Sequence, residues 1–578
     1  MRISITKTKN HEFLYIKHSY RDKSGKSTSK NVRKLGSMAS LMNELGLDRD
    51  GVIEWAKKEA EKETQKYNEE NESVHISLSP TIQIKKDEQH EFNCGYLFLQ
   101  SITSSLRIDN ICRNISNKHK FEYDLKAILD DMIFSRILNP SSKLSSYNFC
   151  KSLLEPPTYE LHDVYRSLHV LAENSDYIQA ELYRNSQFLQ SRDTSVLYYD
   201  CTNYFFEIEQ EKGLLKYGKG KEHRPNPIVG MGLFMDGGGL PLAYDLFPGN
   251  RNEQLTLKPL EQKVIRDFGI THFIYCSDSG LGSENNKVFN DIEGRSYVIT
   301  QSLKKLKKEV RDTALSPKHF KAPGKGGFVD ISKLDESDTE VFNTVYYKEI
   351  PYETSKLSQT LIITYSPKYK AYQENIRAEQ VKRAEKMISE GGKIKKTRKN
   401  PNDPARFITK HAVTKNGEVA DEESWSLNQD KIDEEAMYDG YYAVVTDIED
   451  DPIQIIEINK RRWQIEECFR IMKTDFSARP VFVSCEDCIK AHFLICFIAL
   501  LVYRLLENKL EKKYTCEQIL STLRNMRVVD IEGHGYIPAY TRTDLTDLLH
   551  DTFGFHTDTQ IIKKKKMRSI IKQTKKIK

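Results

Sequence analysis

At 578 residues the chain exceeds what one hydrophobic core sustains, so several domains are expected. Its 38% hydrophobic content, with 30 Tyr and 25 Phe, excludes an intrinsically disordered chain, and a net charge of +5 is too small to act through bulk charge alone. Basic residues gather at both ends and in the middle, which suits a polyanionic partner but equally a solvated surface.

Residues 1–75 open with β-like runs (ISITK, HEFLYIKHSY), a turn at DKSGK and a basic return strand. A helix is expected from Ser37 to Glu69, and this β-hairpin and helix region is expected to bind DNA. No signal-peptide stretch begins the chain. Residues 76–190 carry apolar positions at helical spacing in KAILDDMIFSRIL and LHDVYRSLHVLAEN, predicting a helical domain; binding of DNA ends is a separate expectation for it.

The period then changes. SVLYYDCTNYFFEI predicts a strand ending near Asp200, and IVGMGLFMD and LPLAYDLFPGN predict two more around the turn Gly237-Gly238-Gly239. An amphipathic helix follows, with Gly269 as its stop. THFIYCSD predicts a fourth strand ending near Asp278, and GRSYVIT a fifth. Three antiparallel strands, a helix, a strand, a helix and a strand give the order of a ribonuclease-H-like α/β core. Its mixed five-stranded sheet with flanking helices would occupy 191–300 and 436–530. Residues 301–435 read as a basic, β-containing insertion domain, and 531–578 as a basic tail suited to phosphate contacts.

The ten cysteines are scattered. Cys485 and Cys488 form a CxxC pair without a second pair or an HxxxH partner, so no zinc site is expected. Phe493–Tyr503 is too short to span a bilayer and reads as a buried helix. These features predict a reduced, cytoplasmic protein without membrane association.

The chemistry concentrates in NKRRWQIEECFRIMK. Offsets of four and seven place Arg462, Glu466 and Lys473 on one face of a single helix, with Trp463 read as core. A glutamate between two cations can hold a metal while its neighbours hold phosphate oxygens. Asp200 and Asp278 each end an apolar strand, where sites form at a sheet rim, although an Asp there is more often a turn former or cap. Together with Glu466 they would supply oxygen ligands for two Mg²⁺ ions, with Mn²⁺ able to substitute, as phosphoryl transfer requires.

Three motifs carry a family resemblance: YYDCTNYFFE around Asp200, CSDSGLGSENN around Asp278 and RRWQIEECFRIMK around Glu466. The chain resembles DDE transposases of the insertion-sequence-four family, in its IS-sixteen-thirty-four-like branch. That family's tyrosine-x2-arginine-x3-glutamate-x6-lysine signature is matched by Arg462, Glu466 and Lys473, with Asn459 in the tyrosine position, where a contact to the DNA end is lost. The long interval from Asp278 to Glu466 leaves room for the family's insertion domain. The resemblance implies binding of terminal inverted repeats, a nick at each transposon end, hairpin formation and strand transfer into double-stranded target DNA. It implies catalysis in trans by a homodimer in a bacterial or archaeal cell, associated with the nucleoid.

Other residues have two readings. Trp425 could stack on a base flipped from the hairpinning strand, but core packing in the insertion is favoured. Lys221, His223 and Arg224 form a basic loop that either touches DNA phosphates or is simply solvated. Asp236 and Asp245 read as structural, His492 as a core histidine, Cys201 and Cys276 as small buried groups, and Glu467 as turned about 100° from Glu466. Two alternatives stay open: a ribonuclease-H-like nuclease without strand transfer, and an inactive transposase-derived DNA-binding protein.

Overall fold

The computed structural model describes residues 1–8, 11–21, 26–71, 74–222, 224–390, 402–413, 422–479 and 481–576. It divides into two compact units, Met1–Glu88 and Gln89–Lys578. In the first, β1 (Arg2–Lys7), β2 (Glu12–Arg21) and β3 (Ser27–Ser37) form an antiparallel meander. Two helices follow, α1 (Met38–Leu45) and α2 (Arg49–Asn71), rather than the one expected. Gly46, at φ 62°, ends α1 in the left-handed conformation that glycine adopts without a Cβ clash. Leu14, Met38, Leu41, Val52 and Ala56 make this unit's small core.

The second unit begins with β4 (Glu91–Asn93) and a helical run: α3 (Tyr96–Ser105), α4 (Ile108–Ser116), α5 (Leu125–Leu138), α6 (Lys143–Cys150), α7 (Leu161–Glu173) and α8 (Ser175–Ser186). The predicted strands follow as β5 (Val196–Phe205), β6 (Ile228–Asp236) and β7 (Pro241–Pro248), then α9 (Leu257–Lys263), β8 (Phe273–Ser277), α10 (Glu284–Asn290) and β9 (Arg295–Thr300). The β6–β7 turn carries Gly239 at φ 86°, as the glycine run predicts. After β9 come α11 (Lys308–Leu315), α12 (Thr339–Asn343), β10 (Tyr346–Glu353), β11 (Ser358–Tyr365), α13 (Pro367–Ser389), β12 (Ile408–Val413), β13 (Glu422–Leu427) and α14 (Gln429–Ala436). The chain returns through β14 (Tyr441–Thr446), α15 (Pro452–Lys460), α16 (Trp463–Arg470) and α17 (Glu486–Lys509). It closes with α18 (Cys516–Asn525), β15 (Arg527–Ile531), β16 (Gly535–Pro538), α19 (Asp544–Phe553) and α20 (Lys564–Thr574).

One mixed sheet of eight strands, in the order β10-β11-β14-β9-β8-β5-β6-β7, organises this unit. The five predicted strands are its β7-β6-β5-β8-β9 part, with β8 parallel to both β5 and β9. The expected five-stranded sheet is therefore too small. β10 and β11, placed by sequence in a separate insertion, instead extend the same sheet, β11 pairing with β14 and β10 with β11. The apolar run of β11 is buried on both faces and fits a covered sheet, which a reading of local composition could not locate, whereas β10 is the partly exposed edge.

Alternate residues of β5 feed two cores. Val196, Tyr198 and Tyr204 face one helical layer, whereas Leu197, Tyr199 and Cys201 face the other. The first core continues through α3–α8 and α15–α20, so the helical segment and the tail do not stand apart from the sheet. Met567 and Ile570 of α20 are buried in it, and the expected basic tail is in part a packed helix. α17 runs through the centre. It is long and apolar enough by composition to cross a membrane, longer than the predicted segment, and 94% of that apolar stretch is buried inside the protein.

Candidate active site

Register places the two aspartates. β5 and β8 pair in parallel with Tyr198 opposite Cys276, and Asp200 and Asp278 each lie two residues beyond that last pair. Even-numbered positions of β5 and Cys276 face the same core, which puts Asp200 on that face, and the charge of Asp278 acts on both Asp200 and Arg462. Asp278 follows the end of β8, as expected. Asp200 does not end its strand: beyond Tyr198, β5 leaves β8 but continues to Phe205 as a hairpin with β6. The sheet splits at that point, and the split rather than a strand end opens the space beside Asp200.

The third carboxylate comes from α16, which packs on that face; Cys468 Sγ lies 3.9 Å from Met235 Sδ of β6. The Tyr198 hydroxyl donates to the Ile458 carbonyl of α15 (2.9 Å), fixing the approach of the helix pair. The helix pair breaks just ahead of Arg462. α15 stops at Lys460, Arg462 is the N-cap of α16, and the last turn, Ile471–Asp475, widens into a π-helix. Arg462 Nη1 donates to Glu466 Oε1 (3.0 Å), while Lys473, carried on the π turn, donates to Thr202 Oγ1 of β5 (2.5 Å). Arg462, Glu466 and Lys473 thus lie along one continuous helical stretch, whose last turn alone departs from α geometry.

Lys221 joins them: its Nζ donates to the Cys201 carbonyl (2.7 Å) and its amide to Asn203 Oδ1 (3.2 Å). Arg224 is exposed, with its guanidinium 4.2 Å over the Phe205 ring, and His223 lies outside the described residues. Trp425 is not brought to the acids. It packs against the small core of Ala384, Phe407 and Ile408, with Lys410 over its ring. Asn459 is also withdrawn from the surface at 8% exposure; its Nδ2 donates to the Tyr442 hydroxyl (3.2 Å) and its Oδ1 accepts from Thr300 (3.2 Å). It braces β9 and β14 instead of facing a ligand. Trp463, read as core, is 57% exposed because the break at Arg461 turns it outward. Glu467 faces away from the acids and accepts from Arg504 Nη2 (2.8 Å).

Burial pushes the Asp200 carboxyl up to about 6; Lys221 and the Cys201 amide pull the other way, and Asp278 adds to the rise. Burial likewise draws Lys473 down to about 8, with Lys221 acting in the same direction. Burial opposes the charge on Arg462, but Tyr442, Glu466, Asp200 and Asp278 outweigh it and hold its pKa above the usual value. Arg462 Nε is buried without a hydrogen-bond partner. Asp200 Oδ1 accepts from the Cys201 amide, and Asp278 Oδ1 from the amides of Gly280 and Leu281. The second oxygen of each aspartate has no hydrogen-bond donor among the described residues. These carboxylate oxygens and that of Glu466 are hard donors of the kind a divalent cation takes, but in this structure the three do not all come within 4.8 Å of one another, and Arg462, Lys473 and Lys221 lie among them. Thr202 and Tyr442 were missed by sequence. Thr202 could have been found, because it follows Asp200 by one strand period, whereas Tyr442 arrives only through sheet pairing.

Comparison with known proteins decides the family. The transposase DDE domain family matches residues 205–502, just over half of the chain, and the N-terminal domain of IS1634 family transposases matches residues 1–74. The chain is a DDE transposase of the IS1634 branch. As such it is a metal-dependent enzyme that cleaves and transfers DNA. The DDE match begins just after Asp200, so that residue's place in the site rests on the strand register alone. A piggyBac transposase synaptic complex with hairpin DNA is similar at 8% identity and TM-score 0.35, covering 83% of the transposase and 84% of that chain. A Mos1 transposase paired-end complex is similar at 13% identity and TM-score 0.12, covering 39% and 62%. No curated protein matches the chain.

Proposed function

We propose that this transposase moves an insertion sequence by binding its terminal inverted repeats, cleaving the ends through a hairpin and joining them to target DNA. The observation that supports this reading is the parallel pairing of Tyr198 with Cys276, two residues ahead of Asp200 and Asp278, together with Arg462, which pairs with Glu466 and feels the charge of both aspartates. The strand order β7-β6-β5-β8-β9 supports a ribonuclease-H-like core, with β14, β11 and β10 added at one edge.

Asp200, Asp278 and Glu466 would hold two Mg²⁺ ions, with Mn²⁺ as a substitute. Such ions supply activation of the attacking oxygen and neutralise the leaving one. The protein's own groups do the rest. Arg462, braced by Glu466, keeps a buried N–H for a phosphate oxygen. Lys473 and Lys221 hold positive charge beside Asp200, where a scissile phosphate would sit. The loop with His223 and Arg224 would extend the phosphate track. The first unit and the helical layer before β5 would grip the ends, and two copies would synapse them, in the cytoplasm of a bacterial or archaeal cell.

The test is cleavage of the element's own end by purified protein with Mg²⁺. Asp200→Ala, Asp278→Ala and Glu466→Ala should each lose it. Full cleavage by any one of them would remove that residue from the site, and cleavage without joining to target would favour a plain nuclease.

A further inference from the structure

Away from the acids, three soft ligands from distant parts of the chain converge. Cys485 is the N-cap residue of α17 and accepts from the Cys488 amide (3.1 Å), which places both sulfurs at the first turn of that helix. His169 projects from α7, which packs against α17. One ligand atom of each of His169, Cys485 and Cys488 lies within 4.8 Å of the others. The His169 ring is oriented by Asp487, whose Oδ2 lies 3.1 Å from Nδ1. A carboxylate in that position fixes the proton on Nδ1 and leaves the Nε2 lone pair for a ligand. The CxxC pair has no second pair in sequence, and the fold supplies what the sequence lacks.

We infer that His169, Cys485 and Cys488, with the cysteine pair reduced, form a Cys₂His site for a zinc ion, its fourth position open to water. In the structure the pair is closed as a disulfide, which is the alternative state of the same two sulfurs. Reduction by a phosphine transfers two electrons to the disulfide: the S–S bond breaks, water supplies the oxygen of the phosphine oxide, and two thiols result. Zinc binding then releases both thiol protons to solvent. The helix N-terminus favours the thiolates, and two sulfurs with an imidazole select zinc over the hard cations suited to the carboxylates. The other eight cysteines are buried and do not compete. Occupied, the site ties the start of α17, just after the turn that carries Lys473, to α7.

The test uses full-length protein reduced with a phosphine and titrated with Co²⁺, then Zn²⁺. One equivalent of Co²⁺ should give a near-ultraviolet sulfur-to-cobalt charge-transfer absorption that carboxylates cannot produce, and Zn²⁺ should displace it. Cys485→Ser keeps an N-cap oxygen, so the helix stays capped, yet the absorption should vanish. His169→Gln should weaken Co²⁺ binding at least about tenfold. Zn²⁺ should raise the thermal midpoint of the reduced wild type and leave that of Cys485→Ser unmoved. No absorption in the reduced wild type, its persistence in Cys485→Ser, or unchanged affinity in His169→Gln would overturn the assignment.

Discussion

Replacing Asp200 with Asn removes a charge that the fold holds against its preference while keeping the Oδ1 acceptor for the Cys201 amide. Burial raises the carboxyl from 3.8 to about 6. At about 1.4 kcal/mol per unit, this rise corresponds to at most about 3 kcal/mol of native-state destabilisation. The unfolded chain releases the proton first, so stability falls as pH climbs from about 4 to about 6 and the full penalty persists above that. Asp200→Asn should therefore be more stable than wild type in EDTA, by about 3 kcal/mol at pH 8 and roughly half that at pH 5. Urea unfolding followed by tryptophan fluorescence at the two pH values reads the difference. Mg²⁺ at a hundredfold excess over its dissociation constant should return about 2.7 kcal/mol to wild type and much less to the variant. A variant less stable than wild type at pH 8, or a gain that does not change with pH, would refute the reasoning.

Lys473 titrates near 8, so its charge is present below that pH and lost above it. Affinity for an end duplex, read by fluorescence anisotropy, should fall by up to about tenfold between pH 7 and pH 9, and Lys473→Arg should flatten the curve, because arginine stays charged. Asn459→Tyr restores the residue type of the family's signature but must fit a bulky ring into a buried brace between β9 and β14. It should lower the unfolding midpoint, with a cost of about 1–3 kcal/mol, and gain no cleavage. Glu467→Ala strips one partner from buried Arg504, which keeps Glu507. It should cost about 1–3 kcal/mol in denaturant yet retain end cleavage at low temperature, unlike Glu466→Ala.

The residues proposed for the site were legible because each carries a local signal. Asp278 follows an apolar run that ends where β8 ends, and Glu466 sits four residues after a basic pair. Thr202 obeys the same strand period as Asp200 and was simply passed over. What could not be read is set by pairing at a distance. Nothing near Tyr346 or Ser358 says that these strands join β14 rather than fold by themselves, because a strand buried on both faces looks the same in either setting. The bracing role of Asn459 was not legible for a similar reason: its position in the signature is local, but its partners, Thr300 and Tyr442, lie on two other strands. Trp463 went wrong because helical spacing was extended through Arg461, where the helix breaks.

The place of β14 has a consequence for synthesis. It lies between β9 and β11 in the sheet, yet Thr300 and Tyr441 are separated by most of the basic region. On the ribosome, at roughly 5–20 residues per second, β9 leaves the exit tunnel many seconds before the strand that will cover its edge. Until then the growing chain presents an unpaired strand edge, and β10 with β11 forms a hairpin with no sheet to join. Fragments that stop before β14 should therefore aggregate, and useful truncations of the second unit should keep β9 and β14 together.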